Sequence, residues 1–319
     1  MTIRTLPPQR ALPGRQHRGL SLIELLISMV IGLVVIGVVF ANYLTSGTGN
    51  NSNSALSQMS EDASMALNFM RKQITQAGYS RPYQLNAKGG MDRLYFQQAI
   101  FGCDGAFDNP KAALINELKC KAGDTGPSSI AIAYEADAQN SVLRDTDKPG
   151  DCVGAALSAS TTGGATPQSY YVAESRLYVG TDSERALSCQ GNGQALLPLA
   201  GGTLTSSPSP LVNNVFNMRI RYGVADPRPA PGPGVSPLPL APKKFVAASA
   251  LGTPAAWTDV VAVRVCIVVR SEQEVMPEKT PYYDCDAVEA AAPAPVTPTD
   301  RRLYRAFSTT VMVQNRLGG

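Results

Sequence analysis

Arg18-Gly19-Leu20-Ser21-Leu22-Ile23-Glu24 opens the decisive stretch, which continues as LLISMVIGLVVIGVVFA over residues 25–41. Those 17 residues carry no charge. Extended to Leu44, the run has only Asn42 as a strongly polar residue. As a helix, such a 20-residue segment spans about 30 Å, the thickness of a bilayer's hydrocarbon core. Ahead of it, residues 1–19 hold Arg4, Arg10, Arg15 and Arg18 and no acid. The whole chain has 28 Lys and Arg against 25 Asp and Glu, a net charge of +3. These four arginines therefore account for the entire basic excess. Basic residues on that side place the N-terminal end in the cytoplasm and the chain beyond Leu44 in the periplasm or its equivalent.

Composition excludes several kinds of chemistry. The chain of 319 residues has one histidine, His17, and no Cys-x-x-Cys. Histidine-ligated zinc, Ser-His-Asp and Cys-His catalysis, and dithiol redox motifs are therefore not expected. A charge of +3 gives no ground for direct binding of nucleic acid. There is no Gly-x4-Gly-Lys-Ser/Thr loop; Gly163-Gly164 and Gly201-Gly202 read as turns. The acid pairs Asp145/Asp147 and Asp182/Glu184 read as solvated turn carboxylates. Asp145 to Asp151 has alternating acids that suit calcium, but Lys148 and Pro149 interrupt them. No catalytic residue, cofactor or metal is expected.

Three readings of the N-terminal stretch compete. It is a plain single-pass anchor, or a signal peptide cut after Val39-Phe40-Ala41, or something that uses Glu24. A carboxylate carried into an apolar span costs about 2.5–3.5 kcal/mol, so it needs a purpose. Residues 18–24 resemble the class-III leader of prepilins: a short basic peptide, Gly before the cut, then an apolar helix with Glu as its fifth residue. Leu20 stands where that family usually has Phe. The resemblance implies cleavage by prepilin peptidase between Gly19 and Leu20 and N-methylation of Leu20. It also implies that Glu24 pairs with the N-terminal amine of a neighbouring subunit during assembly. In that pair each charge offsets the other's desolvation.

Beyond the span, residues 45–54 are rich in Gly, Asn and Ser, poor helix formers. They read as a linker or a melted stretch of helix. Leu56, Met59, Ala63, Ala66, Met70, Ile74 and Ala77 then recur at steps of three and four, the apolar stripe of an amphipathic helix. Leu67 and Phe69 widen it, and Gly78 suits a C-cap. Helical from Leu20 to Ala77, the element would be about 87 Å long.

After Met91 the period changes to two. Short strands are expected at Leu94-Tyr95-Phe96 and Ile130–Tyr134. Tyr170–Ala173 and Arg176–Val179 would form a hairpin around Glu174-Ser175. Phe216, Met218, Ile220 and Tyr222 alternate with Asn217, Arg219 and Arg221. Val260–Arg270 is the strongest strand, with Val261, Val263, Val265, Ile267 and Val269 on one face. The last strand is Leu303–Val313. Pro-rich tracts at 226–242 and 290–298 read as exposed extended loops.

Cys103, Cys120, Cys152, Cys189, Cys266 and Cys285 all lie beyond the apolar span. An even count in a translocated domain favours disulfides, and six cysteines allow fifteen complete pairings. Nearest-neighbour closure (103–120, 152–189, 266–285) is expected, because each bridge then staples one loop.

Glu61 to Tyr79, EDASMALNFMRKQITQAGY, resembles PilW-type minor pilins, in which an acid leads into Ala-Leu-x-Phe and the helix ends in Ala-Gly-Tyr. The Val-rich strand followed by Arg270-Ser271 fits the same family, as do Phe307-Ser308-Thr309-Thr310-Val311 and Asn315-Arg316. The resemblance covers residues 18–79, 212–224 and 258–316. It implies an α+β, type IV pilin-like fold: a long N-terminal helix, transmembrane then amphipathic, packed on an antiparallel β-sheet domain with disulfide-stapled loops. The expected organisation is a leader at 1–19, a transmembrane and assembly helix at 20–44, a linker and amphipathic helix at 45–79, and a periplasmic domain at 80–319. The implied function is to prime type IV pilus assembly in a tip complex, supporting twitching motility, adhesion or DNA uptake. The implied partners are other minor pilins, the major pilin, an adhesin-like tip protein and the inner membrane. The alternatives are a J-class pseudopilin of type II secretion, or a secreted enzyme or binding protein starting at Asn42.

Overall fold

The computed structural model describes residue 19 and residues 21–85, 91–95, 97–144, 147–161, 167–180, 185–193, 202–225, 241–289 and 292–315. The leader to Arg18, Leu20, Phe96, Asp145, Asp182, Glu184, Gly163, Gly164, Gly201, Arg316 and most of the 226–242 tract lie outside the described residues.

Helix α1 is Leu22–Gln76. Among the described residues fourteen strands come after it in chain order: β1 (Pro82–Leu85), β2 (Met91–Arg93), β3 (Ile100–Cys103), β4 (Ser129–Ala136), β5 (Leu143–Arg144), β6 (Lys148–Pro149), β7 (Ala159–Thr161), β8 (Ser169–Val179), β9 (Leu187–Gln190), β10 (Ser209–Val212), β11 (Val215–Val224), β12 (Lys244–Val246), β13 (Val260–Arg270) and β14 (Tyr304–Met312). Two short helices, α2 (Pro254–Thr258) and α3 (Cys285–Glu289), flank β13. Contacts divide the chain into two units, Met1–Asn50 and Asn51–Gly319.

In the second unit two antiparallel sheets carry the core. One runs β10-β9-β8-β4-β3, with β7 also on β8; the other runs β12-β11-β13-β14. Met59, Ala63, Ala66, Met70, Ile74 and Ala77 of α1 are buried in one apolar cluster with Ile130 and Ile132 of β4, Met218 and Ile220 of β11, and Val265 and Ile267 of β13. The steps of three and four in the sequence thus become the helix face that covers the sheets. Leu56 is only half-buried. Strand β14 supplies the edge: Val311, with Val313 just beyond the strand, joins the core, and Arg71 Nη2 donates to Thr309 Oγ1 at 3.1 Å.

Strand β13 is central and buried on both faces. Its second face, with Cys266 and Val268, packs on Tyr282, Cys285 and Tyr304. The expected alternation fails at one point: Val260, rather than Val261, joins the main core. The register against β11 shifts between Gly223 and Val224, whose partners are Ala262 and Val260. A bulge that inserts one residue reverses which side chain faces inward.

Three other expectations are corrected. Tyr170–Ala173 and Arg176–Val179 are not a hairpin; β8 runs straight through Glu174-Ser175. A hairpin turn needs residues that tolerate positive φ, and neither is of that kind. Leu94 and Tyr95 are buried outside any strand, while the preceding Met91–Arg93 pairs with β1. Residues 45–54 are helical. Each glycine there costs about 1 kcal/mol, but no proline removes a backbone bond, and breaking the helix would require a second costly nucleation.

Where α1 ends, Gly78 has φ +72°, and its N–H donates to Ala133 O at 3.0 Å. A Cβ there would fall 2.0 Å from Asn315 O. Asn315 Nδ2 donates to Thr75 O at 3.1 Å, so residues from the far end of the sequence cap the helix.

Candidate functional site

Two constructions could carry function: the first half of α1, and the disulfide-stapled loops on the sheets.

The first is built on Ser21, whose carbonyl accepts from Glu24 N at 3.0 Å and Leu25 N at 3.1 Å, opening the helix. Glu24 sits in the first turn, where the positive end of the helix dipole favours a carboxylate. Ser28 Oγ donates back to Glu24 O at 2.6 Å, so that hydroxyl is satisfied within the helix. From Leu22 to Phe40 fifteen large apolar side chains are exposed, among them Leu33 at 70% and Ile36 at 67%. Leu22–Asn42 is the one helix among the described residues long and apolar enough to cross a membrane. Glu24 is its sole charged residue. Gly19 is exposed just before it; Leu20, its partner in the expected cut, lies outside the described residues. The Ala41–Asn42 bond, the alternative cut, lies inside α1.

The second construction is three loops, each closed by a bridge between neighbouring cysteines: Cys103–Cys120, Cys152–Cys189 and Cys266–Cys285, with Cα atoms 5.4, 6.4 and 5.7 Å apart. Carboxylates finish each staple. Near the first, Asp124 accepts from Ala106 N at 2.7 Å and Gly126 N at 3.0 Å. These backbone bonds hold its carboxyl below the usual range. Beside the second, Asp151 accepts from Val153 N at 3.0 Å, Ala155 N at 2.9 Å and Gly193 N at 2.7 Å. At the third, Asp284 accepts both from Asn217 Nδ2 and, at 2.6 Å, from Cys285 N. Asp151 thus spends its oxygens on backbone N–H groups, which is not the arrangement of a calcium ligand. Among the described residues no three His, Cys, Asp or Glu gather as a metal site.

Three buried charges escaped the sequence reading. Glu135, with a fully buried side chain, accepts from Arg81 Nε at 2.6 Å, Ser80 Oγ at 2.8 Å and Arg81 N at 2.7 Å, fastening the chain as it leaves α1. Glu174 and Arg176 lie on one face of β8, with Arg176 Nη2 2.8 Å from Glu174 Oε2. Burial pushes the Glu174 carboxyl up against the pull of Arg176, and burial pushes the Arg176 guanidinium down against the pull of Glu174. The available signal was their i, i+2 spacing, which places both on one side of any strand.

An apolar helix with an acid in its first turn, continuing as a striped helix on antiparallel sheets, defines a type IV pilin-like protein. Comparison with known proteins agrees. Residues 169–315 match the family described as type IV pilus-assembly protein W, PilW, and residues 14–40 match the prokaryotic N-terminal methylation motif. The two matches together are consistent with a PilW-type pilin. Pilins are structural proteins rather than enzymes. No curated protein matches the chain. Among solved structures it is similar to the type IV-like pilin TTHA1219 from Thermus thermophilus, with 12% identity, 81% of this chain and 98% of that chain covered, and a TM-score of 0.37.

Proposed function

We propose that the protein is a non-enzymatic minor pilin that primes type IV pilus assembly in an initiation complex at the pilus tip. Through the pilus it would support twitching, adhesion or DNA uptake. One observation carries the reading: fifteen large apolar side chains stand exposed around a helix segment whose only charge is Glu24. Covering each contributes about 1.5–3 kcal/mol, so together they amount to tens of kcal/mol that water cannot supply. A bilayer covers them before assembly, and the apolar helices of other minor pilins and the major pilin cover them afterwards.

In this reading prepilin peptidase cuts between Gly19 and Leu20, and the new amine on Leu20 is methylated. Glu24 meets such an amine on a neighbouring subunit, so that neither charge enters the apolar bundle alone. The four arginines ahead of Gly19 hold that end in the cytoplasm. The sheets and their three bridges then face an oxidising periplasm, where disulfides persist. An adhesin-like protein at the tip completes the set of partners.

Intact-mass analysis of the mature chain is the direct test. A start at methylated Leu20 is expected, and Gly19→Asp should leave the leader attached. A start at Asn42 would overturn the reading. Glu24→Ala should be processed and inserted normally, yet reduce surface pili by about ten-fold or more, since it strands the neighbouring amine.

A further inference from the structure

Beside the sheet that carries β8 lies a partly open cavity of about 300 Å³ that the pilin reading leaves unused. It lies in the region for which the sequence offered no role. Glu174 forms part of its wall, with the rings of Tyr95 and Tyr170, the hydroxyls of Ser160 and Thr161, and the amide of Asn192.

Three features of this cavity point to one ligand chemistry. First, its polar groups are held in place. Asn192 Oδ1 accepts from Glu174 N at 2.9 Å, and Asn192 Nδ2 donates to Val172 O at 2.9 Å. Tyr95 OH donates to Gln98 O at 2.8 Å. Second, one oxygen of the carboxylate is only weakly held. Glu174 Oε2 takes the Arg176 bond at 2.8 Å, while Oε1 accepts only a long 3.4 Å bond from Ile115 N among the described residues. A buried ion pair of this kind, whose Arg176 Nε and Nη1 find no acceptor among the described residues, costs more in desolvation than its Coulombic attraction returns unless its polar atoms gain further hydrogen bonds, and at the cavity wall Glu174 Oε1 is the atom with room for a donor. A ligand with hydroxyl groups supplies one. Third, Glu174, the charged residue among those lining the cavity, is already paired with Arg176, which does not line it. That favours a neutral ligand over an ammonium or an anion. The two tyrosine rings add flat apolar surface for the C–H face of a hydroxylated ring. A volume near 300 Å³ is at the small end for ligand sites and suits a single ring rather than a chain.

We propose that this cavity binds one neutral sugar residue, as the terminus of a surface glycan. The sugar's hydroxyls donate to Glu174 Oε1 and exchange hydrogen bonds with Ser160, Thr161 and Asn192, while Tyr170 covers its apolar face. The inference does not depend on the priming role: a pilin in any position along a filament could use it.

The test uses the full chain in a sugar-free detergent, titrated with methyl glycosides of neutral hexoses and N-acetylhexosamines. Saturable binding of at least one is expected. Glu174→Gln strands Arg176 as a buried unpaired charge and is expected to unfold, so Tyr170→Ala and Ser160→Val, on the outer wall, are the informative variants. Tyr170→Ala should weaken binding by about ten-fold or more with an unchanged thermal transition, and Ser160→Val by a smaller factor. No saturable binding by any neutral glycoside would overturn the proposal. So would binding that both variants leave intact, or binding confined to charged sugars.

Discussion

Residues 22–42 and 51–76 belong to one helix, yet their side chains are arranged for different surroundings. In the first segment apolar residues occupy every face, and they stand exposed. In the second they form a stripe, with Met59, Ala63, Ala66, Met70 and Ile74 each at most 1% exposed, and Glu61, Arg71 and Lys72 on the outside. A stripe encodes a partner on one side, here the chain's own sheets. An all-round apolar surface encodes a partner on every side, which a bilayer or a bundle of helices provides. The same polypeptide geometry thus separates a folding task from an assembly task by residue pattern alone.

That separation is open to attack from both ends. The largest effect is expected in the striped half. Met70→Ala should cost about 2–5 kcal/mol of stability, as buried large-to-small changes do, and leave the membrane-bound fraction unchanged. Denaturation of the full chain in detergent measures it. An equal effect on membrane association would dissolve the distinction. In the all-round half, Val34→Arg should lower membrane insertion by about 2.5–3.5 kcal/mol, or roughly a hundred-fold, with no change in the thermal transition of the sheets.

The smallest effect concerns pH and should be confined to the sheet unit. Burial pushes the Asp104 carboxyl up, but hydrogen bonds from Ser249 and from Ala248 N, with Arg221 nearby, outweigh it and hold the group below its ordinary value. A carboxyl lowered on folding contributes stability above its unfolded value, near 3.9, and loses that contribution as pH falls through the folded one. Asp104→Asn should therefore cost about 1 kcal/mol or less at neutral pH, because the group is partly screened by solvent, and should flatten the acid limb of the stability curve. A mutant whose acid limb matches the parent's would remove Asp104 from the account.

Legibility in the sequence divides along the same line. Periodic elements were readable because their pattern repeats: the α1 stripe, Met218, Ile220 and Tyr222 of β11, and β13 from Val263 onward match buried faces, whereas Phe216, beside a register shift at Val215, packs on the other side with Tyr304. Neighbouring cysteines pair because each bridge closes a local loop, so no long-range knowledge was needed. The features that escaped were set by distant partners. Glu174-Ser175 looked like a turn because charged residues inside an apolar strand are costly, and it takes distant partners, the carbonyl of Ala112 2.8 Å from Arg176 Nη2 and the N–H of Ile115 on Glu174, together with the ion pair, to make them tolerable. The bulge that exchanges Val261 for Val260 depends on the register with β11, which no single strand records. The cavity beside β8 is assembled from residues 95–204 brought together by pairing order. On the helix, Glu24 was legible because a lone acid at the edge of an apolar run is conspicuous, although its proposed amine partner belongs to another chain.

The contact between Gly78 and Asn315 has a bearing on biogenesis. The helix exit is sealed by Asn315, which is synthesised long after α1, so a nascent chain interrupted before β14 leaves a frayed joint and an unpaired edge on β13. Such a fragment, already inserted by its greasy segment, would present cleavable backbone to quality-control proteases. Only a chain whose synthesis has passed that point is sealed against them.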